Sequence, residues 1–211
     1  MVLKRLLDIV VAGTALLVLA PVLLAIALWV RMDSAGGALF RQERVGRHGR
    51  HFTIYKFRTM RTGADRSGPA ITVGEDARIT RAGHWLRHSK LDELPQLLNV
   101  LVGDMSLVGP RPEVPHYVAM YPPELHDLVL SVRPGITDLA SIAFRNESTL
   151  LAQSADPERT YVEEIRPAKL DYAVRYAQNH GLWQDLVLLA RTVDAVLRPS
   201  RAPGRDTGQP R

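Results

Sequence analysis

The sequence predicts an α+β, mainly helical fold: an apolar membrane helix at the start, a small β-hairpin, and a helical domain with amphipathic interfacial helices. Three observations predict it. Ile9 to Val30 runs 22 residues without a charge, and as a helix it measures roughly 33 Å against a hydrocarbon core of about 30 Å. Leu39 to Val45 and His51 to Met60 flank the turn-rich Gly46-Arg47-His48-Gly49-Arg50, the pattern of a hairpin. Downstream, apolar residues return at helical spacing in several separate segments.

The domain division follows from these signals: an anchor over 1–34, a folded unit over 35–198, and a tail over 199–211 whose Arg, Pro, Gly and Ser content predicts disorder. At 211 residues the chain has room for one ordinary domain beside the anchor. Lys and Arg number 27 against 22 Asp and Glu, a net charge of +5 that suits anionic lipid, phosphorylated substrates or nucleic acid alike. Cysteine is absent, which excludes disulfides, thiolate nucleophiles and cysteine-based metal sites.

In the anchor, Asp8 stands at the entrance, Pro21 removes a hydrogen bond near the middle, and basic residues flank both ends. Lys4 and Arg5 precede it; Arg31, Arg41, Arg44 and Arg47 follow. A helix that kinks at Ala20-Pro21 and re-enters, or one that spans with a kink, both satisfy the pattern, and both leave the folded domain on the cytoplasmic side. Ala25-Ile26-Ala27 has the small-x-small form of a cleavage site, yet the apolar run continues through Val30, unlike a signal peptide.

In the second strand, alternation places Lys56 and Arg58 on one face, a pair of cations for phosphate or an ordinary solvated face. Thr62 to Asp76 reads as a loop that orders with ligand, and Arg78 to His88 as a short basic helix. Leu94, Leu97, Leu98 and Leu101 predict a helix reaching Val102 and stopping at Gly103. Gly103 to Glu113 and Arg133 to Thr137 are Gly/Pro-punctuated and read as shaped loops. Two further helices are expected, about Ala168 to Asn179 and Leu182 to Leu197. The broad apolar face of the second, including Trp183, Leu186 and Val193, suits either the core or a membrane interface.

Asp92 and Glu93 stand at the start of an apolar-periodic helix, where free N–H groups favour ionised carboxylates and bound phosphate. Asp92 is therefore a candidate nucleophile, although Ser89 followed by Asp92 also resembles a capping box. His84 and His88 have metal-ligand spacing without an evident third ligand. Arg111, Arg133 and Arg145 stand in or beside Gly/Pro loops, where guanidinium groups bind phosphate bidentately.

Four ordered segments, Tyr55-Lys56-Phe57-Arg58-Thr59-Met60, Leu91-Asp92-Glu93-Leu94-Pro95-Gln96-Leu97, Gly103 to Pro112 and Arg133-Pro134-Gly135-Ile136-Thr137, resemble the bacterial sugar transferases, monotopic polyprenyl-phosphate phosphoglycosyl transferases. The resemblance runs from the anchor to about Leu197. It implies transfer of a phosphosugar from a nucleotide sugar, usually a UDP-sugar, to undecaprenyl phosphate, with release of UMP. It implies Asp92 as the attacking carboxylate, Glu93 as a partner in magnesium binding and proton transfer, and Mg²⁺ on the pair. Lys56, Arg87, Arg111, Arg145 and Asp171 fall where such enzymes keep residues for phosphate, nucleotide or site organisation. It also implies a re-entrant anchor on the cytoplasmic face of a bacterial inner membrane. The partners expected are the lipid acceptor and the nucleotide sugar, with no nucleic acid and room for a homo-oligomer.

Two departures from the family pattern stand out. Ala20-Pro21 replaces the usual Ser-Pro, and after Ile136-Thr137 the chain reads Asp138-Leu139-Ala140 in place of Gly-Trp. Identity of the sugar therefore does not carry over. The competing expectation is a membrane-anchored basic scaffold without catalysis, which accounts for the charge but gives no reason for paired carboxylates beside arginine loops.

Overall fold

The computed structural model describes residues 2–64, 71–74 and 76–197. The expected tail and the middle of the Thr62 to Asp76 loop lie outside the described residues. Helix α1 (Val2–Asp33) carries the apolar run and remains helical through Pro21. Leu17, Val18 and Leu24 are among its most exposed residues, an apolar surface that water does not favour.

Both ends of α1 are built into the folded domain. Near its start, Asp8 is buried and accepts hydrogen bonds from Ser106 Oγ (3.1 Å) and Leu107 N (3.0 Å). Lys4 Nζ reaches Asp185 Oδ2 at 2.5 Å and Val108 O at 3.1 Å, and Arg5 donates to the carbonyls of Val100 and Leu101. Ala12 enters the main core. Near the other end, Ile26 and Val30 pack with Phe57, Ala82 and Leu86, and Trp29 meets Trp85 edge to face. A charge inside an apolar run needs such a partner, which explains why Asp8 interrupts the segment where it does.

The hairpin forms as the alternation predicts. Strand β1 (Leu39–Val45) pairs antiparallel with β2 (His51–Phe57), Leu39 opposite Phe57 and Val45 opposite His51. β2 stops three residues short of the expected Met60. Arg58 turns to the C-terminus of α1, where all five of its N–H donors are used: Nε on Gly37 O, Nη1 on Ser34 Oγ and Ala35 O, Nη2 on Val30 O and Ser34 O.

Helix α2 (Arg81–Ser89) starts three residues later than expected, because Thr80 is its N-cap and accepts from Gly83 N at 3.0 Å. Arg78 lies before it, paired with Asp76. Helix α3 (Leu97–Val102) ends at Gly103 with φ 101°, as its stop signal predicts.

The two segments expected as loops contain strands. β3 (Ser106–Val108) and β4 (Gly135–Thr137) pair in parallel, Ser106 opposite Gly135 and Val108 opposite Thr137. The pairing needs glycine at the crossing: a Cβ on Gly109 would lie 2.3 Å from Arg133 O, and one on Gly135 would lie 2.1 Å from Gly109 N. Three-residue strands carry too little periodicity to be separated from loop in a sequence so rich in Gly and Pro.

Between and after these strands run short helices: α4 (Pro115–Val118), α5 (Pro123–Val129), α6 (Leu139–Ala143), α7 (Glu147–Ala152) and α8 (Pro157–Thr160). Each is under eight residues, too short for a 3.6-residue period to show. The expected pair closes the described chain as α9 (Arg166–Asn179) and α10 (Leu182–Leu197). In α10 Leu188 is in the core, while Trp183 (79% exposed) and Val193 (58% exposed) face outward. The broad apolar face is thus divided between core and surface.

Candidate active site

Three pieces of chain meet to place the carboxylates. At the end of α2 the chain reverses through Lys90, which adopts a left-handed conformation (φ 59°), into a tight turn over Leu91–Gln96 that leads into α3. This turn carries Asp92 and Glu93. Ser89 belongs to the last turn of α2, its hydroxyl donating to Trp85 O and Leu86 O, so it does not cap the following helix as the capping-box pattern would have it. β2 brings Lys56 from one side, and the segment after β3 brings Arg111 from the other.

Glu93 is clamped between them. Its Oε1 lies 2.8 Å from Lys56 Nζ and 2.5 Å from Arg111 Nη2, and its Oε2 lies 3.3 Å from Arg111 Nη1. Burial alone would raise the Glu93 carboxyl; the Arg111 guanidinium and the Lys56 ammonium outweigh it and hold the group well below the usual carboxylate range. Asp92 differs. Its carboxylate, 8% exposed, has no hydrogen bond or ion pair with any described residue, and burial, reinforced by the neighbouring Glu93 charge, raises its pKa. Arg87 stands within charge range of Asp92 and is held by Thr59 Oγ1 (2.9 Å) and Thr72 Oγ1 (3.1 Å).

The fully buried Asn99 fixes this geometry from beneath, although its place in an apolar helix gave no hint of it. Its Oδ1 accepts from Tyr55 N (3.2 Å) and its Nδ2 donates to Thr53 O (2.7 Å), so it binds the free edge of β2 just before Lys56. Asp138, 8% exposed, does the same for Arg111, accepting from its backbone N at 2.9 Å while capping α6.

The carboxylates open into a cavity of about 1370 Å³. Among the described residues, twelve Lys and Arg line it against five Asp and Glu, a surplus of positive charge suited to more than one phosphate. Lys56, Arg58, Arg87, Arg111 and Arg145 all border it. Arg58 does so with its donors already spent on Val30 of α1 and on Ser34, Ala35 and Gly37 just after it. Arg133 and Asp171 are not brought to it: Arg133 Nε donates to Gly103 O (2.9 Å), and Asp171 pairs with Arg175 one turn along the exposed face of α9. His84 and His88 border the cavity, and no group of three or more His, Cys, Asp or Glu gathers as a metal site among the described residues.

The profile of the bacterial sugar transferases matches residues 1–199. This chain belongs to that family. It is 38% identical over 94% of its length to a UDP-glucose:undecaprenyl-phosphate glucose-1-phosphate transferase of Caulobacter vibrioides. It is 35% identical over 92% of its length to a UDP-N-acetylgalactosamine-undecaprenyl-phosphate N-acetylgalactosaminephosphotransferase of Aeromonas hydrophila. It is 49% identical over 67% of its length to the exopolysaccharide production protein PSS of Rhizobium leguminosarum. The alignments cover 71%, 43% and 74% of those relatives, so the chain spans under half of the Aeromonas protein.

Proposed function

We propose that this sugar transferase moves a phosphosugar from a UDP-sugar to undecaprenyl phosphate, releasing UMP, through a covalent intermediate on Asp92. The named activities of its relatives support the donor and acceptor classes. The observation that carries the mechanism is the unequal bonding of the two carboxylates. Glu93 is committed to Lys56 and Arg111, whereas Asp92 is unheld and borders the cavity. In the first step an Asp92 oxygen attacks the phosphorus that bears the sugar, and the P–O bond to UMP breaks, UMP leaving with the electron pair. In the second, a phosphate oxygen of the lipid attacks the same phosphorus. The Asp92–phosphorus bond then breaks, the carboxylate is restored and the lipid diphosphate sugar departs.

Lys56, Arg111 and Arg87 supply positive charge where the phosphoryl oxygens gather negative charge. Glu93 acts as their counterion and fixes two of them. Mg²⁺ fits the donor set: it takes oxygen ligands and is commonly held by one or two carboxylates, with phosphate and water completing the shell. Asp92 offers uncommitted oxygens; Glu93 offers only lone pairs not taken by Lys56 and Arg111. When bound, the ion would neutralise charge on the phosphates.

The anchor belongs to the same reading. Lys4 and Asp8 dock on β3 and α10, and Ile26 and Val30 dock on β2 and α2, so both ends of α1 are held by one folded domain. A straight span would put the two docking points on opposite faces of the bilayer. The re-entrant arrangement at the cytoplasmic face keeps both, and it sets the cavity at the interface where a lipid phosphate and a soluble nucleotide sugar meet. The test of the reaction is UMP release by the purified chain with undecaprenyl phosphate, Mg²⁺ and a panel of UDP-sugars. Multiple-turnover release that requires both donor and lipid supports it; no release from any donor would refute it.

A further inference from the structure

A second group of residues lines the same cavity. Arg44 of β1, Glu113, Tyr117 and Tyr121 in and around α4, Tyr161, and Arg166 at the start of α9 line it. Two guanidinium atoms there are buried without a hydrogen-bond partner among the described residues: Arg44 Nε and Arg166 Nε. Arg44 spends Nη1 on Pro112 O (2.9 Å) and Nη2 on Gln42 Oε1 (2.5 Å); Arg166 Nη1 reaches Tyr117 O only at 3.5 Å. The Glu113 carboxylate likewise has no hydrogen bond or ion pair with any described residue, although its charge is felt by Arg44, Tyr117, Tyr121 and Tyr161. Its backbone is fixed, with Glu113 O accepting from Val45 N at 3.0 Å.

Unpaired polar groups in a buried site are costly, and they persist where a ligand supplies the missing partners. The chemistry these groups ask for is specific. A carboxylate needs donors, two guanidinium Nε–H groups need acceptors, and tyrosine rings offer apolar faces. Hydroxyl groups serve as donor and acceptor at once, and the C–H face of a sugar ring packs on an aromatic ring. A uracil base, with one ring N–H and two carbonyl acceptors, shares part of this chemistry, and inhibition by UMP separates it from the sugar in the test below. Arg44 is within charge range of both Arg111 and Glu93, so the region adjoins the carboxylate site.

We propose that Glu113, Arg44 and Arg166 form the subsite that binds the hydroxyl groups of the donor sugar and sets which sugar is accepted. This rests on the transferase reading above.

The test uses the full chain in lipid nanodiscs with undecaprenyl phosphate and four donors: UDP-glucose, UDP-galactose, UDP-N-acetylglucosamine and UDP-N-acetylgalactosamine. Glu113→Gln, Arg166→Gln and the gentler Arg166→Lys are compared with wild type for kcat/KM on each donor, for inhibition by UMP and for thermal melting. The expected result is a loss of about tenfold or more on the preferred donor, a smaller loss on the others, and a UMP inhibition constant within about twofold of wild type. Equal loss on all donors with a matching weakening of UMP inhibition would assign the region to the nucleotide and overturn the proposal. So would an unchanged donor profile in melted-normal variants. A wild-type chain that transfers from no donor would overturn the transferase reading itself, which separates the two failures.

Discussion

Lys56 Nζ lies 2.8 Å from Glu93 Oε1, across the gap between the hairpin and the turn that carries both carboxylates. With Arg111 on the other side, this contact makes Glu93 a buried counterion and leaves its neighbour Asp92 without one. Two adjacent acidic residues thus acquire opposite roles from their partners alone, and the consequences differ in sign.

For Asp92, burial and the Glu93 charge place the folded-state pKa above the unfolded one. Ionisation at neutral pH therefore opposes folding; the penalty is present above the folded pKa and vanishes as pH falls below the unfolded value of about 3.9. Asp92→Asn should abolish transfer, by about a thousandfold or more, and at the same time raise the melting temperature by a few degrees at neutral pH. UMP release and a thermal melt on the same preparation check both. The wild-type activity should also fall on the acid side, at a pH above the ordinary aspartate range.

Glu93 runs the other way. Its folded-state pKa is depressed, so its stabilisation is present above the unfolded value of about 4.3 and is lost as pH falls through the folded one. Glu93→Gln leaves Lys56 and Arg111 with a neutral partner and should cost about 3 kcal/mol at neutral pH. Melting curves of wild type and variant measured from neutral to acid pH should converge as the wild-type Glu93 protonates. A constant offset across that range would mean the loss comes from packing instead.

Arg58 separates a structural from a phosphate-binding role. All five of its donors close the C-terminus of α1. Lysine has three donors and no fork, so Arg58→Lys should lower stability by about 2 kcal/mol while leaving KM for the donor within about twofold. A rise in KM with unchanged melting would give Arg58 to the substrate.

The chain has no cysteine, so single cysteines report topology without background. Cysteines placed at Val2 and at Arg175 should both react with a membrane-impermeant maleimide from the cytoplasmic side. Labelling from opposite sides would exclude the re-entrant anchor.

Much of this was legible beforehand, where a signal was local. The hairpin, the stop at Gly103 and the last two helices follow from alternation, a left-handed glycine and 3.6-residue spacing. The gathering of Asp92, Glu93, Lys56 and Arg111 in one site was legible only through family resemblance, because no periodicity says which of several arginines converge. Arg133 shows the limit: it sits in a Gly/Pro loop as Arg111 does, yet the β3–β4 pairing turns it toward Gly103. Asp8 and Asn99 were missed as organising residues because their partners lie 98 and 46 residues away. The charge inside the apolar run was the available sign for Asp8; Asn99 carried none.

The central claim is that Asp92 becomes covalently attached to the phosphosugar. The direct measurement is intact-protein mass spectrometry after incubating the chain with the accepted UDP-sugar and Mg²⁺ in the absence of lipid acceptor. The account predicts a mass gain of one sugar phosphate, mapped to the peptide containing Asp92, absent in Asp92→Asn and discharged on adding undecaprenyl phosphate. Lipid-dependent turnover at wild-type rate with no such adduct under rapid quench, or an adduct that persists in Asp92→Asn, would contradict it.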